Sequence, residues 1–515
     1  MSVQLVWLKR DLRLEDHAPL REASRRSRCV CLYVYEDSLI EADDFDPAHL
    51  NFINQSLAEV RKKLRARGGE LYLRRGKVVE VLNQFHRDYQ IETLWAHEET
   101  SNSIAYRRDR DVRCWARAVG VRLREFPQNG VVRRLESRDG WADRWSERMK
   151  KPILSAPQRI QGVTGIEPGA FLTAGDFQIS TVARAGLQTG GEQAAERCLG
   201  SFLEQRGVNY RGEMSSPVTA MESCSRLSAH LAYGNLSIKR VCQATVERVA
   251  ELKALRKSGE TIEPTWLKSL SSFQGRLRWH CHFMQKLEDE PSIEFRNINR
   301  AYDGLREAEF NEAYYQAWCA GTTGYPMVDA CMRALDQTGW INFRMRAMLV
   351  SFSSYHLWLH WRRPAVHLAR LFLDYEPGIH YNQVQMQAGV TGINTVRIYS
   401  PIKQVVDQDP QGKFIRKFVP ELEGVPDQHL AEPHRMTTME QTLYGCQIGR
   451  DYPHPIVDHK IAYQTARKRM HLLKRSAAAK AEAKGVYQKH GSRRRPRRQS
   501  QKTRGTSAKV ANLAK

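Results

Sequence analysis

The chain has 515 residues, of which 41% are hydrophobic and 27% charged, and this length suffices for two or three globular domains with their own cores. No apolar run approaches the length of a bilayer span, and the N-terminus leads directly into a strand pattern. We therefore expect no transmembrane helix, no signal peptide and no membrane partner. The compartment is accordingly expected to be the cytoplasm, or the nucleus if the source is eukaryotic, and we expect a monomer. The ten cysteines lack the regular spacing of a disulfide framework.

Residues 1–130 alternate between strand and helix patterns. Amphipathic helical segments separate four short runs rich in β-branched and aromatic residues: VQLVWLK, VCLYVYE, ELYLRRG and IETLWAHE. The alternation predicts an α/β domain with a doubly wound, Rossmann-like parallel sheet, and Cys29 and Cys31 in its core. Four charged residues follow the first strand, at the edge where such sheets commonly hold ligands: Arg10, Asp11, Arg13 and Asp16. Spacing alone favours a solvated turn with local ion pairs over a ligand site.

The rest of the chain divides into three parts. Residues 131–191 are expected to form an interdomain connector, and residues 192–477 show the helical patterns of an all-α domain. Residues 478–515 have almost no apolar side chains and are expected to be a disordered basic tail. Between Lys460 and Lys515, 18 Lys and Arg stand against the single acid Glu482, so +17 of the net charge of +23 lies there. We interpret the tail as a nucleic-acid arm, with a nuclear import signal or a functionally silent tail as alternatives.

The segment Ala317–Leu422 is the one around which the chain is organised. Apolar residues recur at helical spacing from Met327 to Leu335, and Pro326 suits the first turn of that helix. Gly339 and Trp340 are expected to end it. The pattern predicts a buried helix.

A second apolar helix follows and is expected to continue to Trp361. It contains Arg344 and Arg346, and a guanidinium in an apolar helix is rarely left unpaired. Asp374 and Glu376, about one helix-turn-helix further on, are the candidate partners.

Four ordered blocks of sequence resemble the DNA photolyases and cryptochromes, and are closest in kind to the cyclobutane pyrimidine dimer photolyases. They are WLKRDLRLEDHAPL at Trp7–Leu20, SRLSAHLAYGNLS at Ser225–Ser237, the GTTGYPMVDACMRALDQTGW segment ending at Trp340, and RIYSPIKQ…DQDPQGKFIRKFVPEL at Arg397–Leu422. Together they span most of residues 1–465. The resemblance implies an α/β domain followed by an all-helical FAD-binding domain.

The resemblance assigns a diphosphate site for FAD to one block and an upstream tyrosine: Tyr210, Ser225, Arg226, Leu227 and Ser228. Hydroxyls and free N–H groups at a helix start suit a diphosphate, although an ordinary helix cap would also explain the serines.

The flavin ring is expected against the Trp340–Asn382 region. Arg346 and Asp374 match a pair beside the isoalloxazine, with Glu376 nearby, and His380 takes the position that faces flavin N5. His380 could change charge near neutral pH there, or be a structural histidine. In this family the N-terminal domain often carries an antenna chromophore, whose identity no residue here reveals.

The resemblance also implies a DNA site. Trp279 and Trp340 match two tryptophans that stack a flipped-out pyrimidine dimer. Arg344, Arg397 and Lys403 match a basic rim that contacts the phosphates around the lesion. The implied partner is DNA that contains pyrimidine dimers, which would associate the protein with the nucleoid.

Several positions depart from the family pattern. Arg276 replaces a glutamate of the dimer pocket. Of the tryptophan chain for flavin photoreduction, Trp361 remains, Val384 replaces the proximal member, and four residues could supply another route: Trp358, Tyr355, Tyr381 and Tyr399. The two histidines of (6-4) photolyases fall at Phe343 and Ala347, and no four-cysteine iron-sulfur site or other metal site is expected.

The sequence therefore predicts a photolyase that uses light and reduced FAD to split cyclobutane pyrimidine dimers. Two alternatives stay open. One is a cryptochrome-like blue-light receptor without repair activity, which the departures at Arg276 and Val384 make plausible. The other is a flavin-bearing nucleic-acid-binding protein without photochemistry, which the basic tail alone would suggest.

Overall fold

The structure is a computed structural model, and it describes residues 3–181 and 184–491. Five parallel strands form one sheet in the order β3-β2-β1-β4-β5. Their bounds are β1 Val3–Leu8, β2 Cys29–Tyr35, β3 Leu71–Arg75, β4 Ile91–His97 and β5 Arg122–Phe126. The predicted doubly wound α/β domain is confirmed.

The sheet is covered on both faces because side chains alternate along β1. The helices of this domain are α1 Ala18–Ser24, α2 Asp37–Ile40, α3 Pro47–Arg65, α4 Val78–Tyr89 and α5 Ser103–Ala118. Val6 and Leu8 pack with residues of α1 and α3, whereas Leu5 and Trp7 pack with residues of α4 and α5. Cys29 and Cys31 are buried in the sheet, as predicted.

The segment after β5 contacts both domains. Its helix α6, Trp141–Lys150, buries Trp141 and Trp145 in a core shared with the helical domain. Further on, a 3-10 turn at Ala174–Phe177 places Phe177 in the core of the sheet. The segment therefore joins the two domains by packing against each of them.

The remaining elements are helical, and the predicted all-α domain is confirmed. Their bounds are α7 Glu192–Glu204, α8 Tyr210–Glu213, α9 Ala220–Ser223, α10 Ser228–Ala232, α11 Ile238–Lys257, α12 Trp266–Asp289, α13 Glu312–Ala320, α14 Pro326–Thr338, α15 Phe343–Ser351, α16 Arg362–Leu371, α17 Pro377–Ala388, α18 Pro401–Gln408, α19 Lys413–Phe418, α20 Asp427–Leu430, α21 Thr438–Leu443, α22 His459–Arg475 and α23 Ala477–His490. None of the helices in the described ranges is long and apolar enough to cross a membrane.

The predicted buried helix is α14, which starts at Pro326. Gly339 ends it in the left-handed conformation with φ of 67°, a backbone state that glycine adopts at little cost. The next helix does not continue to Trp361 as predicted. α15 ends at Ser351 and gives way to a π-helical stretch, Phe352–His356. The apolar pattern continues through the change from α-helix to π-helix. Periodicity alone therefore could not locate the end of α15.

The prediction of a disordered tail from residue 478 is wrong for residues 478–490. Residues from Ala477 onward form α23, which buries Ala479 and Val486, and His490 lies 2.7 Å from Glu290. A few small apolar side chains on one face were enough to dock this basic helix. The rest of the predicted tail, residues 492–515, lies outside the described residues.

Candidate active site

A bidentate ion pair joins Arg346 on α15 to Asp374 in the loop before α17. Nη1 and Nη2 of Arg346 donate to Oδ1 and Oδ2 of Asp374 at 2.9 and 2.8 Å, and Nε donates to the Ile341 carbonyl at 2.8 Å. The guanidinium also lies 4.0 Å from the centroid of the Phe372 ring. Burial alone would raise the pKa of Asp374, but the Arg346 charge and hydrogen bonds from Arg346 and Ser228 hold it below its ordinary value. The predicted pairing is confirmed.

The other predicted carboxylate, Glu376, pairs elsewhere. Its Oε2 lies 3.9 Å from Nη2 of Arg10 in the N-terminal domain, and burial raises the pKa of Glu376 to about 7 despite that charge. The Nε of Arg344 has no hydrogen-bond partner among the described residues. The prediction of a carboxylate partner for Arg344 is therefore wrong, and its guanidinium remains available to an external anion.

Arg226 lies in the predicted diphosphate segment with φ of 58°, a left-handed conformation that is uncommon outside glycine. Its guanidinium carbon is 4.0 Å from the centroid of the Trp340 ring. Burial lowers the pKa of Arg226 to about 10, so the side chain stays charged at neutral pH. Leu227 precedes α10, which has only five residues. The hydroxyls of Ser225 and Ser228 and the Arg226 charge, more than a helix dipole, are what this segment offers to a diphosphate.

Tyr210 and Arg276 meet beside this segment. Burial raises the pKa of Tyr210 to about 12, and the nearby charge of Arg276 on α12 opposes that rise. Burial also raises the pKa of the Cys224 thiol to about 11, against the opposing charges of nearby arginines that include Arg226, Arg346 and Arg276. The site therefore concentrates positive charge, which suits a diphosphate or another anion.

Two buried amide oxygens, Oδ1 of Asn342 and Oδ1 of Asn382, have no hydrogen-bond partner within the described part of the chain. Each side chain is nevertheless fixed, because its Nδ2 donates to two main-chain carbonyls at 2.7 to 3.1 Å. A fixed acceptor without a donor is what an N–H group of a bound ring can satisfy. Together with the arginine cluster, these atoms fit FAD.

His380 is buried on α17. Its Nε2 lies 2.8 Å from the Ala365 carbonyl, and its ring centroid is 5.3 Å from those of Tyr375 and Tyr381. Burial lowers the pKa of His380 to about 4, so the imidazole is neutral at pH 7. The expectation that it changes charge near neutral pH is wrong. Because Nε2 must donate to the carbonyl, Nδ1 is left as an acceptor, and its contact with flavin N5 stays a prediction.

The charged loop after β1 is buried against the helical domain. Nη1 of Arg13 donates to the Gly234 carbonyl at 2.9 Å, and Asp16 lies 2.7 Å from Lys239. Gly234 has φ of 70°, and a Cβ there would overlap the Arg10 carbonyl oxygen. The expected solvated turn is therefore wrong, because the loop forms the seam between the two domains.

Asp11 of the same loop lies between two histidines that the sequence analysis did not single out. Its Oδ2 is hydrogen-bonded to Nδ1 of His97 at 2.7 Å and lies 3.0 Å from Nε2 of His17, which makes no hydrogen bond within the described part of the chain. The Nδ1 of His17 accepts the Leu20 N–H at the start of α1. The ligand atoms of the three residues lie within 4.8 Å of one another.

A cavity of about 110 Å³ lies at the carboxyl ends of β1, β2 and β4, between the two domains. Rings line much of it: Tyr33, Phe45, His49, Tyr233 and Tyr375. Charged groups at its edge include Asp44 and Arg108, and Arg108 donates to Glu36 at 2.6 Å. The position agrees with the general rule that ligands bind beyond the carboxyl ends of parallel strands.

The two predicted pocket tryptophans occupy different surroundings. Trp340 lies under Arg226, whereas Trp279 lies at the edge of a groove that Trp145 also lines, with its ring 5.5 Å from Phe283. The structure does not place them in one described cavity. On α12, Arg276 lies on the side of Tyr210. The motif match identified Trp279 by its position in the sequence but could not show which side of the helix it occupies.

Of the predicted basic rim, Arg397 and Lys403 are exposed and Arg344 is partly buried. Phe343 and Ala347, which stand where other photolyases have histidines, are exposed and buried respectively. The phosphate contacts of the basic rim therefore stay a prediction. Phe343 and Ala347 supply no imidazole group that could contact a lesion.

Aromatic rings connect the helical core to the seam between the domains. The centroid of Trp361 is 6.4 Å from that of Tyr381, which is 6.3 Å from that of Tyr375. The Tyr375 hydroxyl donates to Asp44 at 2.6 Å. Trp358 instead lies between the guanidinium groups of two arginines, at 4.6 and 4.9 Å. The buried side chain of Val384 adds no ring, and the other described ring beside Trp361 is that of His360, with centroids 5.5 Å apart.

Fold and site together define a two-domain protein, with a parallel α/β domain and a helical domain in which arginines concentrate positive charge beside unpartnered amide oxygens. Residues 4–140 match the family described as DNA photolyase, and residues 273–472 match the FAD binding domain of DNA photolyase. These matched segments account for more than half of the chain. The protein belongs to the DNA photolyase and cryptochrome family, and FAD is its cofactor.

Relatives with both family names resemble the chain over nearly its full length. It is 27% identical to cryptochrome DASH of Gloeobacter violaceus over 88% of this chain and 93% of that protein. It is 29% identical to the deoxyribodipyrimidine photo-lyase of Streptomyces griseus over 89% of this chain and 97% of that protein. The crystal structure of a class III photolyase from Agrobacterium tumefaciens has the same fold, with a TM-score of 0.79 at 24% identity over 92% of this chain and 98% of that one.

Proposed function

We propose that this protein repairs cyclobutane pyrimidine dimers in DNA by light-driven, FAD-dependent electron transfer. The observation that carries the proposal is the group of arginines around Cys224, with Arg226 stacked on Trp340 and Arg346 fixed by Asp374. Fixed positive charge stabilises an anion that forms during a reaction without any reorganisation of water. A dimer that accepts an electron becomes such an anion.

Bound FAD supplies the light absorption and the electron. The chain's own groups would hold it: the Ser225 hydroxyl and the Arg226 charge would bind the diphosphate, and the amide oxygens of Asn342 and Asn382 would accept from N–H groups of the ring. Asp374 keeps the Arg346 guanidinium in one orientation through two hydrogen bonds. His380, neutral and fixed through Nε2, presents only an acceptor.

The DNA contacts follow from exposure and charge. Arg397 and Lys403 are exposed and Arg344 lacks a partner for its Nε, so all three can contact phosphates on either side of a lesion. Trp340, in contact with Arg226, offers a face for stacking. Arg276 stands where many photolyases have a glutamate, and its positive charge would stabilise the dimer anion electrostatically.

The cavity at the carboxyl ends of the strands is our candidate for an antenna chromophore. Its aromatic lining suits a planar conjugated ring, whereas its arginines are already paired, Arg108 with Glu36, Glu99 and Asp109 and Arg10 with the Tyr375 carbonyl. Mass spectrometry of the small molecules released by denaturing the purified protein would identify a second chromophore beside FAD.

The deciding experiment reduces the purified holoprotein, adds an oligonucleotide with one thymine dimer, and measures dimer loss under blue light against a dark control. Arg276→Ala should lower the repair rate about tenfold or more, because it removes a charge from the site. Lys268→Ala, an exposed cation elsewhere on α12, is the matched control and should repair at the parent rate. No light-dependent repair by the parent protein would contradict the proposal.

A cryptochrome-like receptor is the second candidate, favoured by the aliphatic side chain of Val384 at a position where the family has an electron-transfer tryptophan. A flavin that responds to blue light, without dimer loss in the same assay, would support that function.

A further inference from the structure

A groove of about 1170 Å³ runs between α6, α11 and α12. Its floor is apolar and includes Trp141, Trp145 and Leu277, all buried, while Trp279 stands at its edge. We propose that this groove is a second nucleic-acid site, which binds an unpaired DNA strand independently of the flavin site. The choice of DNA rests on the proposed function.

The groove lies on the side of α12 opposite the flavin site. Gly275, Arg278 and His282 recur at a helical spacing and line the groove. Arg276, by contrast, lies near Tyr210, and His280, four residues further on, lines a cavity between the domains. A strand in the groove would therefore be separated from the flavin site by the thickness of a helix.

The groove combines rings with cations. Trp279 is partly exposed, and the guanidinium of Arg278 lies 5.4 Å from the centroid of the Trp145 ring. Lys150 adds a second exposed cation, and Val246 exposes 57% of its surface. A base can stack on the partly exposed ring of Trp279 regardless of sequence, and cations beside such a ring hold the phosphates, which is how proteins bind single strands. Paired bases inside a duplex cannot reach such a floor.

The end of the described chain lies at the same place. Gly491 lines the groove, and the 24 residues that follow it contain nine Lys and Arg and no acidic residue. Asp143 and Glu247, which also line the groove, nearly cancel the charge of its own cations. The basic segment that starts at Gly491 would therefore supply most of the attraction for a polyanion, and the groove would supply the surface for its bases.

The test measures binding in the dark of a fluorescent, undamaged thymidine oligonucleotide to the full-length holoprotein by anisotropy. Trp279→Ala and Arg278→Glu should each weaken binding about fivefold or more, as expected for the loss of a stacked base or a phosphate contact. Lys257→Glu makes the same charge change as Arg278→Glu at an exposed site outside the groove, and should change affinity less than twofold. Arg278 is exposed, so its substitution keeps the test valid if the Trp279 variant fails to fold.

Truncation after Gly491 should reduce the dependence of affinity on salt while the effect of Arg278→Glu persists. Photocrosslinking of a bromouracil-substituted strand should label the peptide that contains residues 271–282. Crosslinks confined to peptides with Arg344, Arg397 or Lys403 would overturn the proposal, as would equal affinities of the groove variants and the parent.

Two other results would also overturn the proposal. Tighter binding of an RNA strand of the same length would assign the groove to a different ligand. A change in tryptophan emission when residues 492–515 are removed in the absence of nucleic acid would show that the tail occupies the groove itself. None of these measurements needs light or a lesion, so loss of the proposed repair activity and loss of the second site are separate outcomes.

Discussion

Asp374→Asn is expected to lower the free energy of unfolding of the helical domain by about 2–4 kcal/mol. Hydrogen bonds to charged groups contribute about 1.5–3 kcal/mol each, and the substitution leaves one acceptor where Arg346 now has two. The carboxylate side chain is only 4% exposed, so water cannot replace the lost bond easily, whereas the guanidinium, at 24%, is partly hydrated. The larger penalties known for breaking fully buried pairs are therefore reduced here.

A double-mutant cycle with Arg346→Gln measures the pair itself. Urea unfolding of the parent, both single variants and the double variant should give a coupling energy above about 1 kcal/mol, since the two side chains are in direct contact. Asp407→Asn, which removes an exposed carboxylate of α18, should change stability by less than about 0.5 kcal/mol. A coupling energy within about 0.5 kcal/mol of zero would refute the assignment of Arg346 and Asp374 as an interacting pair.

The pH dependence gives an independent check. The pKa of Asp374 is lowered in the folded protein, so its contribution to stability is present above the unfolded value of about 3.9 and is lost as pH falls through the folded value. The stability difference between the parent and Asp374→Asn should therefore stay constant from pH 7 to about pH 5 and shrink toward pH 3. A difference that grows on acidification would contradict this linkage.

Further predictions concern Glu376 at the seam between the domains, two glycines of the helical domain and the end of the chain. Burial raises the pKa of Glu376 to about 7, so the parent should lose up to about 3 kcal/mol relative to Glu376→Gln as pH rises from about 4.5 to 7, measured by urea unfolding across that range. Gly378→Ala should destabilise by about 1–3 kcal/mol in thermal unfolding, because its Cβ would meet the main chain of α12 at 2.6 Å. Gly485→Ala, in the open on α23, should instead stabilise by up to about 1 kcal/mol. Truncation after Gly491 should leave the melting temperature unchanged, whereas truncation after Ser476 should lower it by removing α23.

The fold was predictable because its signals are local and strong. The strand patterns of residues 1–130 reflect a sheet buried on both faces, as β1 shows with six buried residues out of six. Arg346 and Asp374 could be paired in advance because a guanidinium in an apolar helix needs an anion. The same reasoning failed for Arg344, which has no carboxylate partner among the described residues. It assumed that the anion for every such arginine belongs to the protein, whereas our proposal assigns Arg344 to a DNA phosphate.

Contacts between distant segments were beyond the sequence. The loop after β1 has the composition of a solvated turn, yet Arg13 donates to the main chain at Gly234, more than 200 residues away. No residue near Arg13 in the sequence indicates this partner, because the hydrogen bond forms only when the two domains pack together. Asn342 and Asn382 escaped notice for a related reason, because an orphaned acceptor is defined by what surrounds it. Such positions can be found only once burial is known.

α12 shows how these limits bear on function. A motif match fixes which residue stands at each position, but a helix carries consecutive positions to different sides. Arg276 reaches Tyr210 and the arginine cluster, whereas Arg278, two residues further on, stacks over Trp145 across the groove. In our two proposals one helix therefore serves two surfaces, one that binds an anion beside the flavin and one that binds a single strand through a ring and cations. Charge changes at these two arginines should consequently separate lesion repair from the binding of undamaged single strands.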